Sequence, residues 1–235
     1  MLFEKYKYDS LCIAGGCGNN SVANGKIAQN TPFKNIYIQS AAGDAGGAIG
    51  AAYTVIQNGE TQKVAPPMEH ALWGPSYGQS EIEDILNEKK SEIEKSSCSI
   101  SLIEDVDILC EKTAAAIADG KVIGWYQGRL EWGPRALGNR SILCDPRRTD
   151  MQDILNRKIK RRESFRPFAP SIIREAVKEW FIEDGEVPFM MKVFGIKDEK
   201  QKLIPAVTHV DGSGRLQTVY KETNSLYHKL ISKFM

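Results

Sequence analysis

The sequence predicts a mixed α/β chain, and three observations carry that prediction. Short apolar runs break into glycine-rich loops that lead into helices, at residues 11–29 and again at 35–58. A helical stretch with a glycine stop feeds an apolar strand at 111–127. The 235 residues are 42% hydrophobic, enough to bury the core of one or two domains.

The first element is the run LCIA at 11–14, a strand that breaks into GGCGNN before a helix over 21–29, with Asn20 or Ser21 as its cap. Such a loop lets backbone N–H groups approach a phosphate at the positive end of a helix. It lacks the lysine of a P-loop and the full dinucleotide fingerprint. The next strand, NIYIQ at 35–39, alternates β-branched and aromatic residues. The small-residue stretch that follows isolates Asp44, a carboxylate placed at a strand-to-helix turn where it suits a metal or a ribose hydroxyl.

Residues 59–110 read as a connector: a Pro/Gly region, a charged segment whose Ile82, Ile85 and Leu86 share one helical face, and a β-like patch SISLIEDVDIL. The amphipathic segment at 81–95 is expected to pack on a domain, and His70 to take a surface or packing role. A second unit is expected from Glu111, with a helix stopped at Gly120 and a buried strand at 122–127. SILCD is a further strand, followed by a helix with Met151, Ile154, Leu155 and Ile159 inward. FRPFAP cannot be regular helix, because Pro167 and Pro170 each lack an amide hydrogen. A helix at 174–181, an edge strand within VPFMMKVFGI, a turn gathering His209, Asp211 and Arg215 around Gly212 and Gly214, and a helix at 224–234 complete the chain.

Charge is distributed unevenly. The net charge is only +1, yet residues 129–166 hold eleven Lys/Arg against five Asp/Glu. Gly and Pro punctuate these arginines in GPRALGNR and FRPFAP, fixing the backbone in a way that a solvated basic face does not require. A phosphate-handling site follows, with guanidinium forks gripping anionic oxygens. A basic nucleic-acid footprint is the alternative, weakened by the few aromatics interleaved between Arg135 and Arg162. No apolar run approaches the roughly 20 residues of a membrane span, and the first ten residues lack a signal centre, so a cytoplasmic location is expected. Five cysteines without CxxC spacing are expected to be free thiols, Cys17 of the glycine loop among them.

GRLEWGPRALGNRSILCDPR, IKRRESFRPFAPSI and IPAVTHVDGSGRLQTV closely resemble the O-carbamoyltransferases related to NodU and CmcH, and AGGCGNNSVANGKI with QSAAGDAGGAIGAA is similar to the end of that family's Kae1-like domain. The resemblance implies a remnant of an actin-like Kae1-like domain over 1–58, a connector over 59–110, and a YrdC-like domain with a twisted mixed sheet over 111–235. It implies ATP and carbamoyl phosphate as ligands, joined into carbamoyl adenylate for transfer to a hydroxyl acceptor, with a threonylcarbamoyl-adenylate synthase as the rival enzyme.

Arg135, Lys160, Arg166 and Arg215 are the leading anion ligands, and His209 is a donor or acid/base candidate. Cofactor-binding candidates are Gly15, Gly16, Asn20, Gly43 and Gly46 in the glycine loops, and Arg129, Asn139, Arg140, Ser141 and Arg161 in the basic stretch. Asp44 matches the family's iron-type metal aspartate, but the family draws histidines from an earlier part absent here, and one carboxylate holds a transition metal poorly, so Asp44 is expected to be metal-free. Two departures stand out: GGCGNN replaces the usual GGVALN, and the chain stops before the family's Asn-Thr-Ser-Phe-Asn segment. It therefore reads as a piece of a longer protein whose N-terminal Kae1-like part is its expected partner, able to bind but without turnover alone.

Overall fold

The computed structural model describes residues 2–58 and 67–235. Its elements run α1 (Leu2–Tyr6), β1 (Ser10–Ile13), α2 (Ser21–Asn30), β2 (Asn35–Ile38), α3 (Gly46–Asn58), α4 (Gln79–Glu88), α5 (Lys90–Lys95), α6 (Val106–Ala118), β3 (Ile123–Tyr126), β4 (Arg140–Leu143), α7 (Met151–Ile154), β5 (Ser171–Ile173), α8 (Val177–Trp180), β6 (Phe194–Gly195), α9 (Asp198–Gln201), β7 (Ser213–Gly214), β8 (Gln217–Val219) and α10 (Ser225–Phe234). The α/β mixture expected from the sequence is present. Among the described residues, however, the strands pair as four two-stranded ladders, β1 with β2, β3 with β4, β5 with β8 and β6 with β7, rather than as one twisted sheet.

β1 and β2 are parallel, with Ser10 opposite Asn35 and Ile13 opposite Ile38, and α2 is the crossover between them. That helix starts where it does because Asn20 Oδ1 accepts from the Ala23 N–H at 3.1 Å. Its buried Asn24 donates from Nδ2 to the carbonyls of Gly18 and Met191, both at 2.8 Å. Gly25 lets the helix lie flat on Val193, whose carbonyl a Cβ would strike. The N-terminal strands therefore share a core with distant segments: Ile38, Ala42, Met68, Ala71, Leu137 and residues 189–191 pack together.

Several expectations are corrected here. Part of the expected connector is core, since Met68 and Ala71 are buried and the Trp132 N–H donates to the Ala71 carbonyl at 2.6 Å. The start of that connector, 59–66, lies outside the described residues. α4 and α5 bury nothing, and Ile82 and Ile85 are exposed: the segment breaks at Lys89 into two helices too short to carry a continuous apolar stripe against a neighbour. The β-like patch forms no strand, and its last four residues, 106–109, open α6. Asp105 Oδ1 accepts from the N–H groups of Asp107 and Ile108 at 2.7 and 3.1 Å, so the cap overrides the local β preference and the helix begins five residues before Glu111.

The stretch around 187–196 is buried nearly throughout rather than lying at a sheet edge, and only Phe194–Gly195 is strand. Met190 has φ 54°, which turns the chain and sends Met190 and Met191 into the core. After α7 the helix widens into a π-helical turn, Leu155–Lys160, so the 3.6-residue face no longer holds: Met151 and Leu155 are buried, but Ile159 is exposed.

α6 and α10 close over the antiparallel β3–β4 pair, where Cys110, Ala114, Trp125, Val219, Tyr227 and Leu230 form one cluster. A second cluster of Val177, Phe181, Ile196, Ile204 and Leu216 anchors the β5–β8 pair. Together these fix the two edges between which the basic loops meet.

Candidate functional site

The loop between β3 and β4 is built around one buried carboxylate. Glu131, with its side chain 0% exposed, accepts from the N–H groups of Leu137, Asn139 and Arg140 at 2.6, 2.9 and 3.3 Å and from Arg140 Nε at 3.0 Å. Gly133 (φ 127°) and Gly138 (φ 106°) take left-handed conformations where side chains would strike the Ser40 carbonyl and the Tyr227 ring. The loop thereby projects Arg135 outward, and Arg135 Nη2 donates to the Asn19 carbonyl of the N-terminal glycine loop at 2.9 Å.

Arg135 meets Arg215, which immediately precedes Leu216 and β8, and Arg162, which follows the π-turn. The three share a cleft of about 390 Å³ with Lys160. Ser141 and Ser171 also line it, and Phe168, Leu230, Ile231 and Phe234 form an apolar wall. No Asp or Glu is among the lining residues. The electrostatic consequence is visible at Arg215: burial first, then repulsion from Arg135 and Arg162, brings its pKa down to about 10. Arg135 is held below its ordinary value by burial, and Arg162 by burial and the nearby Arg166. The Nε atoms of Arg135 and Arg215 are buried without a hydrogen-bond partner. Partly desolvated cations gathered on a cleft that no carboxylate lines call for an anion.

The sequence candidates separate accordingly. Arg135, Lys160, Arg215 and Ser141 line the cleft. Arg166 instead pairs with Glu163 at 3.0 Å and is half-exposed, and Arg161 sits exposed at φ 50°, its backbone turning the chain. Arg140 is committed to Glu131 and the Gly133 carbonyl, Arg129 donates from Nε to the Gly74 carbonyl at 3.0 Å, and Asn139 ties Gln127 and Asn224 together. Gly15, Gly16, Asn20, Gly43 and Asp44 lie in the loops that follow β1 and β2, where Gly15 N–H donates to the Ala42 carbonyl and Asn20 caps α2, and Gly46 is the first residue of α3. The sequence points to Arg161 where the structure places Arg162 on the cleft, because LNRKIKRRE reads as a uniform α-helix and the π-turn that swaps their positions leaves no local signal.

His209 stands behind Arg215, outside the cleft lining. Its Nδ1 lies 3.1 Å from Ser213 Oγ, which donates to Asp211 Oδ1 at 2.7 Å. With the hydroxyl proton committed to Asp211, Nδ1 carries the ring proton and Nε2, buried and unpartnered, is left as an acceptor. Burial holds the imidazole below its ordinary pKa against the opposing pull of Asp211. Among the described residues no three His, Cys, Asp or Glu side chains gather to hold a metal, and Asp44 is exposed. Among the described residues no helix is long and apolar enough to cross a membrane.

A family model described as carbamoyltransferase C-terminus matches residues 114–235, and one described as carbamoyltransferase N-terminus matches residues 1–53. The chain belongs to the carbamoyltransferase family. Its relatives include nodulation protein NolO of Bradyrhizobium diazoefficiens, 44% identical over 95% of this chain and 40% of that protein. Another is the 3'-hydroxymethylcephem-O-carbamoyltransferase of Streptomyces clavuligerus, 35% identical over 95% of this chain and 39% of the enzyme. Nodulation protein U of Rhizobium fredii is 35% identical over 91% of this chain and 33% of its own length. The chain spans about two fifths of the length of the first curated relatives it matches. The arginine cleft of this carbamoyltransferase-family chain lies chiefly within the segment matched by the C-terminal model.

Proposed function

We infer that the arginine cleft binds the phosphate groups of carbamoyl phosphate and ATP, and that the chain serves an ATP-dependent O-carbamoyltransferase which forms carbamoyl adenylate, with one water taken up and phosphate and pyrophosphate released, for transfer to a hydroxyl with AMP as the leaving group. The observation that carries this reading is the convergence of Arg135, Arg162 and Arg215 on a cleft without a lining carboxylate. Attack of an anionic oxygen on a phosphoryl group concentrates charge, which preorganised guanidinium groups offset without reorganising. Lys160, an exposed lining residue, adds a point charge. The apolar wall of Phe168 and Phe234 suits a planar base beside the phosphates. The names of the relatives support carbamoyl transfer as the reaction class. In this reading residues 111–235 are YrdC-like and residues 1–58 belong to a Kae1-like domain, whose other part is the partner, and the compartment is cytoplasmic.

The test is calorimetric titration of carbamoyl phosphate and of ATP into the chain and into Arg215→Ala, with duplex RNA as competitor. Both small ligands are expected to bind the parent chain and to lose at least tenfold in affinity in the variant, corresponding to about 1.4 kcal/mol. RNA that binds tightly at physiological salt while neither small ligand binds refutes the assignment.

A further inference from the structure

We propose that Asn156 is a positioning residue that fixes Arg162 as an anion contact of the cleft, an inference that rests on the cleft reading above. Asn156 is fully buried within the π-helical turn. Its Oδ1 accepts from Arg162 Nε at 2.7 Å, and its backbone carbonyl accepts from the Arg162 N–H at 3.0 Å. Its Nδ2 donates to the carbonyls of Ser164 and Arg166 at 3.0 and 2.9 Å, and Gln152 Nε2 donates to the same two carbonyls at 3.2 and 3.3 Å, so the reversal after Arg161 is held by two amides, of which only Asn156 also reaches Arg162.

The guanidinium is constrained on two sides. Its Nε edge is held by Asn156, and one face lies over the Phe168 ring, with Cζ 4.8 Å from the centroid. What remains is the pair of Nη groups, for which the described residues supply no hydrogen-bond partner, at a position lining the cleft. A two-pronged donor set held in one orientation is the geometry that grips two oxygens of a phosphate at once. A lysine at position 162 would keep the charge but could neither use the Asn156 acceptor in the same way nor present that fork. The π-turn has a role in this arrangement. Its extra residue per turn, followed by left-handed Arg161, brings Arg162 back over Asn156 instead of letting it continue along the helix axis.

The experiment titrates inorganic pyrophosphate into the whole chain at low ionic strength and reads affinity. Arg162→Ala is expected to weaken binding roughly ten- to hundredfold, the effect of losing charge-assisted hydrogen bonds. Asn156→Ala is expected to weaken it about fivefold in the parent background and not at all in the Arg162→Ala background, because its effect passes through the guanidinium. Arg162→Lys is expected to bind about tenfold more weakly than the parent despite its retained charge. An Asn156→Ala effect of equal size in both backgrounds means a general loosening of the turn and overturns the proposal. Should Asn156→Ala fail to fold, Arg162→Lys decides alone, and parent-like binding in that variant overturns the proposal. Pyrophosphate binding that Arg215→Ala abolishes and Arg162→Ala leaves intact defeats this inference alone. Binding that neither variant alters defeats the cleft assignment too.

Discussion

Replacing Arg215 by methionine is expected to stabilise the ligand-free chain while removing its affinity for phosphates. The guanidinium pKa falls from its ordinary 12.5 to about 10. At about 1.36 kcal/mol per pK unit, the charged side chain costs the fold roughly 3 kcal/mol. Methionine keeps the length and apolar character of the stem, so most of the packing beside Leu216 is retained. Allowing for screening and imperfect packing, a gain of about 1–3 kcal/mol is expected, which for a chain of this size raises Tm by roughly 2–10 °C. The sign with pH is definite. A base with a lowered folded pKa penalises the fold wherever it is charged, and the penalty is relieved only as pH rises through about 10, so it is constant between pH 6 and 9. Thermal unfolding in a low-salt, phosphate-free buffer measures the difference. Pyrophosphate should raise the Tm of the parent chain and leave Arg215→Met unmoved. A lower Tm in the variant together with a parent chain indifferent to pyrophosphate refutes the electrostatic reasoning.

Other outcomes follow from single contacts. Glu131→Ala removes the acceptor for four loop donors and leaves Arg140 without its counter-charge; it should cost about 3–5 kcal/mol in urea unfolding and weaken pyrophosphate binding by disordering the Arg135 loop. Leu230→Ala, at a position of α10 that is 2% exposed and packed in one cluster with Cys110 and Ala114 of α6, should cost about 2–5 kcal/mol in the same assay. His209 has a lowered pKa, so its neutral form favours the fold: stability should fall as pH drops below the ordinary imidazole value, and His209→Gln should flatten that part of the pH–stability curve. Burial and Asp145 push the Cys144 thiol up to about 11, so at pH 7.5 iodoacetamide should label exposed Cys12, Cys17 and Cys98 well before Cys144, as peptide mass mapping would show.

Much of the local structure was legible because it depends on neighbours in sequence. Asn20 capping α2, the alternation of β2, the glycine stop of α6 and the inability of FRPFAP to be helical all follow from side-chain and backbone chemistry within a few residues. The basic stretch, and the glycines that discipline it, likewise marked the cleft region before any fold was known. Errors arose where long-range contacts outvoted local pattern. The run at 187–196 has the composition of a strand, but the packing of Met190 and Met191 against Ile38 and Leu137 bends it into core. Residues 67–78 look like linker, yet backbone hydrogen bonds to Leu130 and Trp132 draw them in.

The sequence by itself determined the α/β class, most element positions, and the charge available for anions. Tertiary structure alone decided which arginines use that charge. Arg140 and Arg166 are ion-paired with Glu131 and Glu163, whereas Arg135, Arg162 and Arg215 are brought together from three separate loops onto a cleft that no carboxylate lines. Spacing along a chain cannot report that difference, because it depends on whether a counter-charge is near in space and on how much water the fold excludes.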